Sequence, residues 1–577
     1  MKINLNTQKV FNWSVQKIGV IGPGIVGMPM AALLAKARIK IGSDQPARVL
    51  VVQRNSSNSG WKVDAINQGK SVIGGIEPSL ERITRESVRD GLLSASHDYN
   101  QLADADVILV SIQTDREGFK PDYGPLLGGL TSLAKALQNK PDGHIPLVIF
   151  ESTLAPSSMA TVIKEHFEKY NLIEGKDILL GNSPNRVMPG RLVERVSASD
   201  KLVAGLHPQT PTMIKEMYRH IVTQGTLYTT NSLSAEVTKT LENAYRDVRI
   251  AFSAEVVRYC DEHNIDFYAL RNQVNEQLAQ EDAASDNPNA VPSGGILVPT
   301  IGVGGHCLPK DGILLWWRKY HSEEDTSNSL ILHSRVINDA SPAKTIELFE
   351  SDFERINGKT IAILGAAYRF NSEDTRNSPS LEFALQCLDK SCQVKIHDPF
   401  VKKDDQNLKK WNLTQHFTND IGEALQDAEY IVIGTAHKYY SDHLKTMLAR
   451  APKLTGVFDA ANAFKADDIK ELGKVYSGIG RGTNQPDPDF VQAVYESFRL
   501  MERGIGNEVK GLCDFLNEHY APDKFNKVRF KEVQYLARSC STGCEIADNG
   551  PIDEVPEHNG FKSELVTKAF SSELKKV

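Results

Sequence analysis

Short apolar runs, each closed by a polar cluster, set the rhythm of this chain. Residues 17–21, 48–52, 106–112, 146–150 and 178–180 are such runs. Most are apolar at odd and even positions alike, the pattern of strands buried on both faces. Stretches of helical spacing separate them. Over residues 15–205 this alternation predicts a doubly wound parallel sheet. Ligands of such sheets sit at the carboxyl ends of the strands. Thr114, Glu151, Thr153 and Asn185 fall at or just past those ends, although any one of them alone is more often a plain loop residue.

The period becomes helical over residues 234–263. Leu241, Ala244, Tyr245, Val248, Phe252 and Val256 make an apolar stripe, and Glu236, Lys239, Asn243 and Arg246 a polar one. A solvated face is the plain meaning of the polar stripe. A long helix between domains buries both faces instead, and then Lys239 and Asn243, on adjacent turns, aim at one point. Residues 280–293, rich in Ala, Asp, Asn and Pro, read as a flexible loop, and helices continue to about residue 355. Further apolar runs follow at 359–364, 394–397, 429–433 and 456–458, and Asp398-Pro399 and Asp459 close two of them. A second α/β unit is expected there. Past about residue 505 no strand periodicity continues, and the polar stretch 545–560 reads as disordered.

Chemistry enters with Gly22-Pro23-Gly24-Ile25-Val26-Gly27, set between the first strand and a run of helix formers. A bare G-x-G-x-x-G is weak evidence. With its strand and helix in place it predicts dinucleotide binding: one glycine turns, one admits a pyrophosphate, and one lets helix and strand pack. An acidic residue is expected at the end of the next strand to hold the ribose. Gln53 and Arg54 stand there instead, a pair compatible with NAD and also with the 2′-phosphate of NADP.

Composition narrows the class. A net charge of -7 implies no nucleic-acid surface. No apolar run approaches membrane-spanning length, and residues 1–14 lack a secretory h-region. Cysteines at 260, 307, 387, 392, 513, 540 and 544 are scattered and odd in number, as expected of a reducing cytosol. Cys540 and Cys544 have the spacing of half a metal site, but no matching pair follows, so no metal is expected.

One thiol differs from the rest. Gly302-Val303-Gly304-Gly305-His306-Cys307-Leu308-Pro309-Lys310-Asp311 sets Cys307 in a glycine-rich loop beside a lysine and a carboxylate. A nearby cation favours thiolate, the nucleophilic form. An inert buried thiol in a turn is the commoner meaning of such a loop taken alone.

Taken in order, these stretches resemble the UDP-glucose/GDP-mannose dehydrogenase family of nucleotide-sugar 6-dehydrogenases. The signatures are Gly22 to Gly27, Glu151-Ser152-Thr153, Ala235-Glu236-Val237-Thr238-Lys239, Gly304 to Asp311, and Asp374-Thr375-Arg376-Asn377-Ser378-Pro379. Ser183 to Gly190 and Glu242 to Val248 are most similar to the branch that oxidises UDP-N-acetylhexosamines. The resemblance covers about residues 15–500 and implies two Rossmann-like doubly wound domains joined by a long central helix and helical segment. The expected boundaries are an NAD-binding domain at 15–215, a central helical domain at 216–340, a UDP-sugar-binding domain at 341–504, and a C-terminal extension of unknown role at 505–577.

The resemblance also implies a mechanism, in which C6 of the sugar is oxidised to an acid with two NAD. Cys307 forms a thiohemiacetal and then a thioester. Lys239 and Asn243 stabilise the oxyanions. Asp311 poises Lys239 or activates water, which Thr153 and Glu151 help to place. Cofactor contacts fall on Gly22, Gly24, Ile25, Val26, Gly27, Gln53, Arg54, Thr114, Lys310 and Arg376. Sugar-nucleotide contacts fall on Asn185, Arg186, Val187, Arg246, Gly304 and Arg369. Partners are the UDP-sugar substrate and a second copy paired through the central helix, and the product would feed a surface polysaccharide. The chain departs from the family pattern at Asn185, where many members have Glu, at Arg369, where they have Lys, and at Ala461, where an Arg is usual; Arg481 is a candidate to replace the last. The rivals are a UDP-glucose 6-dehydrogenase, a two-electron dehydrogenase of the 6-phosphogluconate type, and a silent nucleotide-sugar binder. Cofactor reduced per sugar consumed separates the last two from the four-electron enzyme.

Overall fold

The computed structural model describes residues 13–74, 77–187, 190–278, 295–322, 326–353, 356–471, 473–540, 544, 546–547 and 554–570. The stretch 280–293, expected to be a loop, lies outside the described residues. The chain divides into two compact units. One comprises Met1–Glu242, Leu314–Glu324 and Val509–Thr542; the other comprises Asn243–Ile313, Asp325–Glu508 and Gly543–Val577.

The first unit is built on β1 (Lys17–Ile21), β2 (Arg48–Val52), β3 (Leu93–Ser96), β4 (Val107–Val110), β7 (Leu147–Phe150), β8 (Leu179–Asn182), β9 (Lys201–Gly205) and β10 (Leu227–Asn231). A small hairpin, β5 (Asp115–Glu117) and β6 (Lys120–Asp122), lies apart from them. The sheet runs β10-β9-β8-β7-β4-β1-β2-β3. The β1–β4 junction is the point where strand order reverses, and that is where α/β sheets place ligands. Both faces are covered, as the continuous apolar runs require. Ile18 and Val20 join one core with Met30 and Leu34, and Ile21 joins the other with Leu126 and Leu130. Burying each such side chain contributes about 1.5–3 kcal/mol. The expectation of a parallel sheet needs one correction: β9 meets β8 antiparallel. The chain returns through the short helix Leu192–Ala198 and re-enters the sheet reversed, a step that no local pattern marks.

The second unit repeats the architecture with β11 (Thr360–Leu364), β12 (Gln393–His397), β13 (Phe417–Thr418), β14 (Tyr430–Ile433), β15 (Gly456–Asp459) and β16 (Val475–Gly478). Their order is β13-β12-β11-β14-β15-β16, parallel throughout.

The long helix runs Ser232–Glu262. Glu236, Lys239, Glu242 and Asp247 are all buried on it, so both faces are covered for most of its length. The C-terminal part is also folded where it is described. The helix Pro488–His519 is followed by Phe530–Cys540, then by a hairpin of β17 (Glu557–His558) and β18 (Phe561–Lys562), and by the helix Glu564–Phe570. The disorder expected for 545–560 is thus corrected at its end. Asn559 and Gly560 both have positive φ, which is the turn that Asn-Gly favours. Tyr259 donates to the Asn559 carbonyl at 2.9 Å, and Glu255 accepts from Ser563 Oγ at 2.9 Å.

Candidate active site

In the first unit the three glycines after β1 occupy three different environments. A Cβ on Gly22 (φ +87°) would lie 2.9 Å from the Ser111 carbonyl oxygen. One on Gly27 would lie 2.2 Å from the Gly22 carbonyl oxygen. Nothing lies within 4 Å of a Cβ on Gly24. Two glycines are therefore required by close packing, and the third presents open backbone. The helix Gly27–Lys36 starts there with no side-chain cap and no acid in its first turn. Open backbone, uncapped N–H groups and the positive helix end fit a pyrophosphate. Ile25 is exposed and Val26 half-buried on the same turn.

At the end of β2, Gln53 gives its side-chain amide to Ser59 Oγ at 2.8 Å, while Arg54 is exposed. Lys62 was not expected at this site. Its ammonium donates to the Pro23 carbonyl at 3.2 Å, and burial lowers its pKa. It adds a cation beside the glycine turn, and only the path of the chain after β2 reveals it.

The ends of β4 and β7 are stitched together, because Thr114 Oγ1 donates to the Thr153 carbonyl at 2.7 Å. Glu151 is the hub of this region. Its carboxylate is out of solvent and accepts from Lys201 Nζ at 2.8 Å, from the Tyr218 hydroxyl and from Asn185 Nδ2. Burial lowers the pKa of Lys201 while Glu151 raises it, and burial with Glu151 pushes the Tyr218 phenol well up. A glutamate at 185 would set two carboxylates side by side; Asn185 donates instead. Lys201 and Tyr218 carry no local sequence signal, since they come from β9 and the helix Thr210–Tyr218. Arg186 is held by Glu242 through Nε at 2.7 Å and Nη2 at 2.5 Å, and Val187 packs against the core. Glu236 accepts from the backbone N–H groups of Ser157 and Met159, both at 2.8 Å, and burial pushes its carboxyl up to about 8. Lys239, one turn further along the helix, is buried.

In the second unit Asn243 Nδ2 donates to Asp311 Oδ2 at 2.5 Å. The other Asp311 oxygen lies 3.6 Å from Lys310 Nζ, and both residues are buried. Cys307 is exposed. It stands directly before the helix Leu308–Tyr320, and its carbonyl accepts from the N–H groups of Lys310 and Asp311 at 3.1 and 2.9 Å. A helix N-terminus favours negative charge at this position. The loop before it is pressed against Tyr368. A Cβ on Gly304 would meet the Tyr368 Cβ at 2.3 Å, and one on Gly305 (φ +86°) would meet the ring at 2.9 Å. Gly305 N–H donates to the Arg376 carbonyl at 2.7 Å, and Arg376 grips Asp374 through Nε at 2.9 Å and Nη2 at 2.6 Å. Tyr368 and Arg376 both lie near Cys307.

Arg246 is open to solvent but crowded by protein. Surrounding atoms, then the charges of Arg249 and Arg369, lower its pKa. The acids nearest to it in sequence are already engaged. Glu242 holds Arg186, and Asp247 takes Arg335 Nη1 at 2.5 Å and Asn338 Nδ2 at 2.9 Å. Among the described residues no hydrogen bond or ion pair holds Arg246. Arg481, the candidate to replace the missing Arg, lies 3.8 Å from the Asp459 carboxylate. It reaches Asn462 and the Phe464 carbonyl and lies 4.5 Å over the Tyr268 ring. Of the Cys540–Cys544 pair, the Cys540 side chain lies outside the described residues, and Cys544 is buried.

Comparison with known proteins gives a consistent result. Three models of the UDP-glucose/GDP-mannose dehydrogenase family match: the NAD binding domain over residues 16–222, the central domain over 233–340 and the UDP binding domain over 362–466. A UDP-N-acetyl-D-mannosamine dehydrogenase of Pyrococcus horikoshii is 28% identical over 471 residues, covering 81% of this chain and 99% of that protein. Its Campylobacter jejuni counterpart is 28% identical over 433 residues, with 74% and 96% covered. The crystal structure of an NDP-N-acetyl-D-galactosaminuronic acid dehydrogenase from Methanosarcina mazei is 30% identical, with a TM-score of 0.68, over 84% of this chain and 98% of that one.

Proposed function

Since the chain belongs to the UDP-glucose/GDP-mannose dehydrogenase family and is an NAD-dependent nucleotide-sugar dehydrogenase, we propose that it oxidises a UDP-N-acetylhexosamine at C6 to the uronic acid. The observation that carries this reading is Arg246. It is a solvent-facing guanidinium with no carboxylate of its own among the described residues, beside Arg249 and Arg369. A cluster of like charges calls for an anion, and a diphosphate next to an amide-bearing sugar supplies one. The names of the relatives support the acetamido sugar.

Bound NAD serves as the hydride acceptor in each of two oxidations. The glycine turn, with Gly24 open and Gly22 and Gly27 closed, would hold its pyrophosphate, with Lys62 beside the turn. The side chains supply the rest. The C6 alcohol loses a hydride and a proton to give the aldehyde. Cys307 thiolate adds to the aldehyde carbon, and the resulting oxyanion takes a proton, leaving a thiohemiacetal. Loss of a second hydride and that proton gives a thioester. Water then breaks the C–S bond, releasing the acid and the thiol. Lys239 and Asn243 offer donors to the oxyanions, with Asp311 orienting the Asn243 amide. Glu151 acts at one remove, by fixing the loop that carries Asn185. We place the enzyme in the cytosol, paired through the long helix and feeding polysaccharide synthesis.

Steady-state rates with UDP-N-acetylmannosamine, UDP-N-acetylglucosamine and UDP-glucose at matched concentrations test the assignment. An N-acetyl sugar should be turned over at least about tenfold better, because unpaired polar groups penalise the analogue. Arg246→Ala should weaken binding of all three sugars alike, since each carries the diphosphate. Two NADH per sugar are expected. A clear preference for UDP-glucose would overturn the assignment.

A further inference from the structure

We infer that the C-terminal extension carries a second anion site, built for a small phosphorylated metabolite and separate from the sugar-nucleotide site. Residues 521–529 join the helices Pro488–His519 and Phe530–Cys540, beyond every stretch matched by the family models. The loop borders a cavity of about 560 Å³ and a second of about 320 Å³, with Lys524 and Arg529 lining both and Lys527 lining the larger. Ligand sites commonly span about 300–1,000 Å³. Among the described residues none of the three cations has an ion pair or hydrogen bond. The two carboxylates lining the cavities accept from neutral donors. Asp523 accepts from the Asn526 backbone N–H at 2.9 Å and from its side-chain amide, and Glu532 accepts from Thr230 Oγ1 at 2.5 Å. The larger cavity thus sets Lys524, Lys527 and Arg529 against the single carboxylate of Asp523, an excess of positive charge.

The loop is also rigid, as a site must be. Asn231 Nδ2 donates to the carbonyls of Phe525 and Lys527, each at 2.9 Å. Asn517 and Val528 exchange a reciprocal pair of hydrogen bonds at 2.7 and 2.8 Å. Three exposed cations on a pinned backbone suit a ligand with two or more phosphate charges better than a single carboxylate. Asn231 gives the site a route to function. Its Oδ1 accepts from Ser234 N–H at 2.8 Å, at the start of the helix that carries Lys239. A ligand that stiffens the loop acts on the corner from which Lys239 is placed.

Calorimetric titration of the full chain saturated with NAD, so that the glycine turn is occupied, with inorganic pyrophosphate, and in parallel with UDP, tests this. Two sites per chain are expected. A Lys524→Ala/Lys527→Ala/Arg529→Ala variant should lose one of them, weakening it roughly a hundredfold through three charge-assisted contacts, while Arg246→Ala should weaken only the other. Tighter binding of UDP than of pyrophosphate at the extension site names a nucleotide as the ligand; equal binding names the phosphate chain alone. A single site that disappears in Arg246→Ala and survives in the triple variant overturns the inference and leaves the assignment at Arg246 standing. Circular dichroism of the triple variant should match the wild type, since all three side chains are exposed.

Discussion

Asn243 donates its side-chain amide to Asp311 at 2.5 Å. The two residues come from distant parts of the chain, and the bond turns the amide of one helix toward the first turn of the helix that follows Cys307. An asparagine in this setting is oriented before any substrate arrives. Removing one oxyanion donor costs about 100- to 1,000-fold in rate, so Asn243→Ala and Lys239→Ala should each lose at least that much kcat. Asp311→Asn should lose less kcat than Asp311→Ala, because it keeps an oxygen to accept from Asn243. A loss confined to KM in Asn243→Ala and Lys239→Ala would assign both residues to binding alone.

Cys307 is exposed and begins a helix, whereas Cys260, Cys387, Cys392, Cys513 and Cys544 are buried. Burial pushes the thiols of Cys387 and Cys392 up, and that of Cys513 up to about 12. Alkylation with a slight excess of iodoacetamide should therefore label Cys307 first and abolish activity. Cys307→Ser should bind NAD and the UDP-sugar with near-normal affinity and form no more than a trace of uronic acid. Near-normal acid formation by this variant would exclude a covalent role.

The glycine turn makes separable predictions. Gly27→Ala drives a methyl into the Gly22 carbonyl and should lower Tm by several degrees. Gly24→Ala meets nothing within 4 Å, so its Tm should stay at the wild-type value while KM for NAD rises. The NAD binding domain of the family spans residues 16–222, so kcat/KM should favour NAD over NADP; a preference for NADP that is lost in Arg54→Ala would place a 2′-phosphate on that guanidinium. Equal Tm losses in the two glycine variants would show that Gly24 serves packing as well.

Burial raises the Glu236 carboxyl to about 8, against an ordinary value of 4.5. The folded protein holds a proton there that the unfolded chain releases. Its contribution to stability is complete below pH 4.5 and is lost as pH rises toward 8. Glu236→Gln should flatten the decline of Tm across that window, and a parallel decline in both proteins would assign the pH dependence to other groups.

Much of this molecule was legible in the sequence, and the reason is local. The strands at 17–21 and 48–52 are apolar at every interior position, a pattern that only a doubly covered sheet requires, and the structure places β1 and β2 at those residues. The glycine turn and the Cys307 loop are also contiguous, so their chemistry is written in adjacent letters. β3, Leu-Ser-Ala-Ser, and the reversed β9 were not legible, because pairing with neighbours decides them rather than propensity. The hairpin at Asn559-Gly560 carried a readable turn signal inside a stretch whose polarity suggested disorder. Partner choice belonged wholly to the tertiary structure. Nothing near Arg246 in sequence says that Glu242 will take Arg186 and Asp247 will take Arg335, nor that Glu151 will gather Lys201, Tyr218 and Asn185. Each of those ion pairs joins residues far apart along the chain. Which buried charges meet is set by how the helices and strands pack, since a buried carboxylate must find its donors wherever the fold brings them.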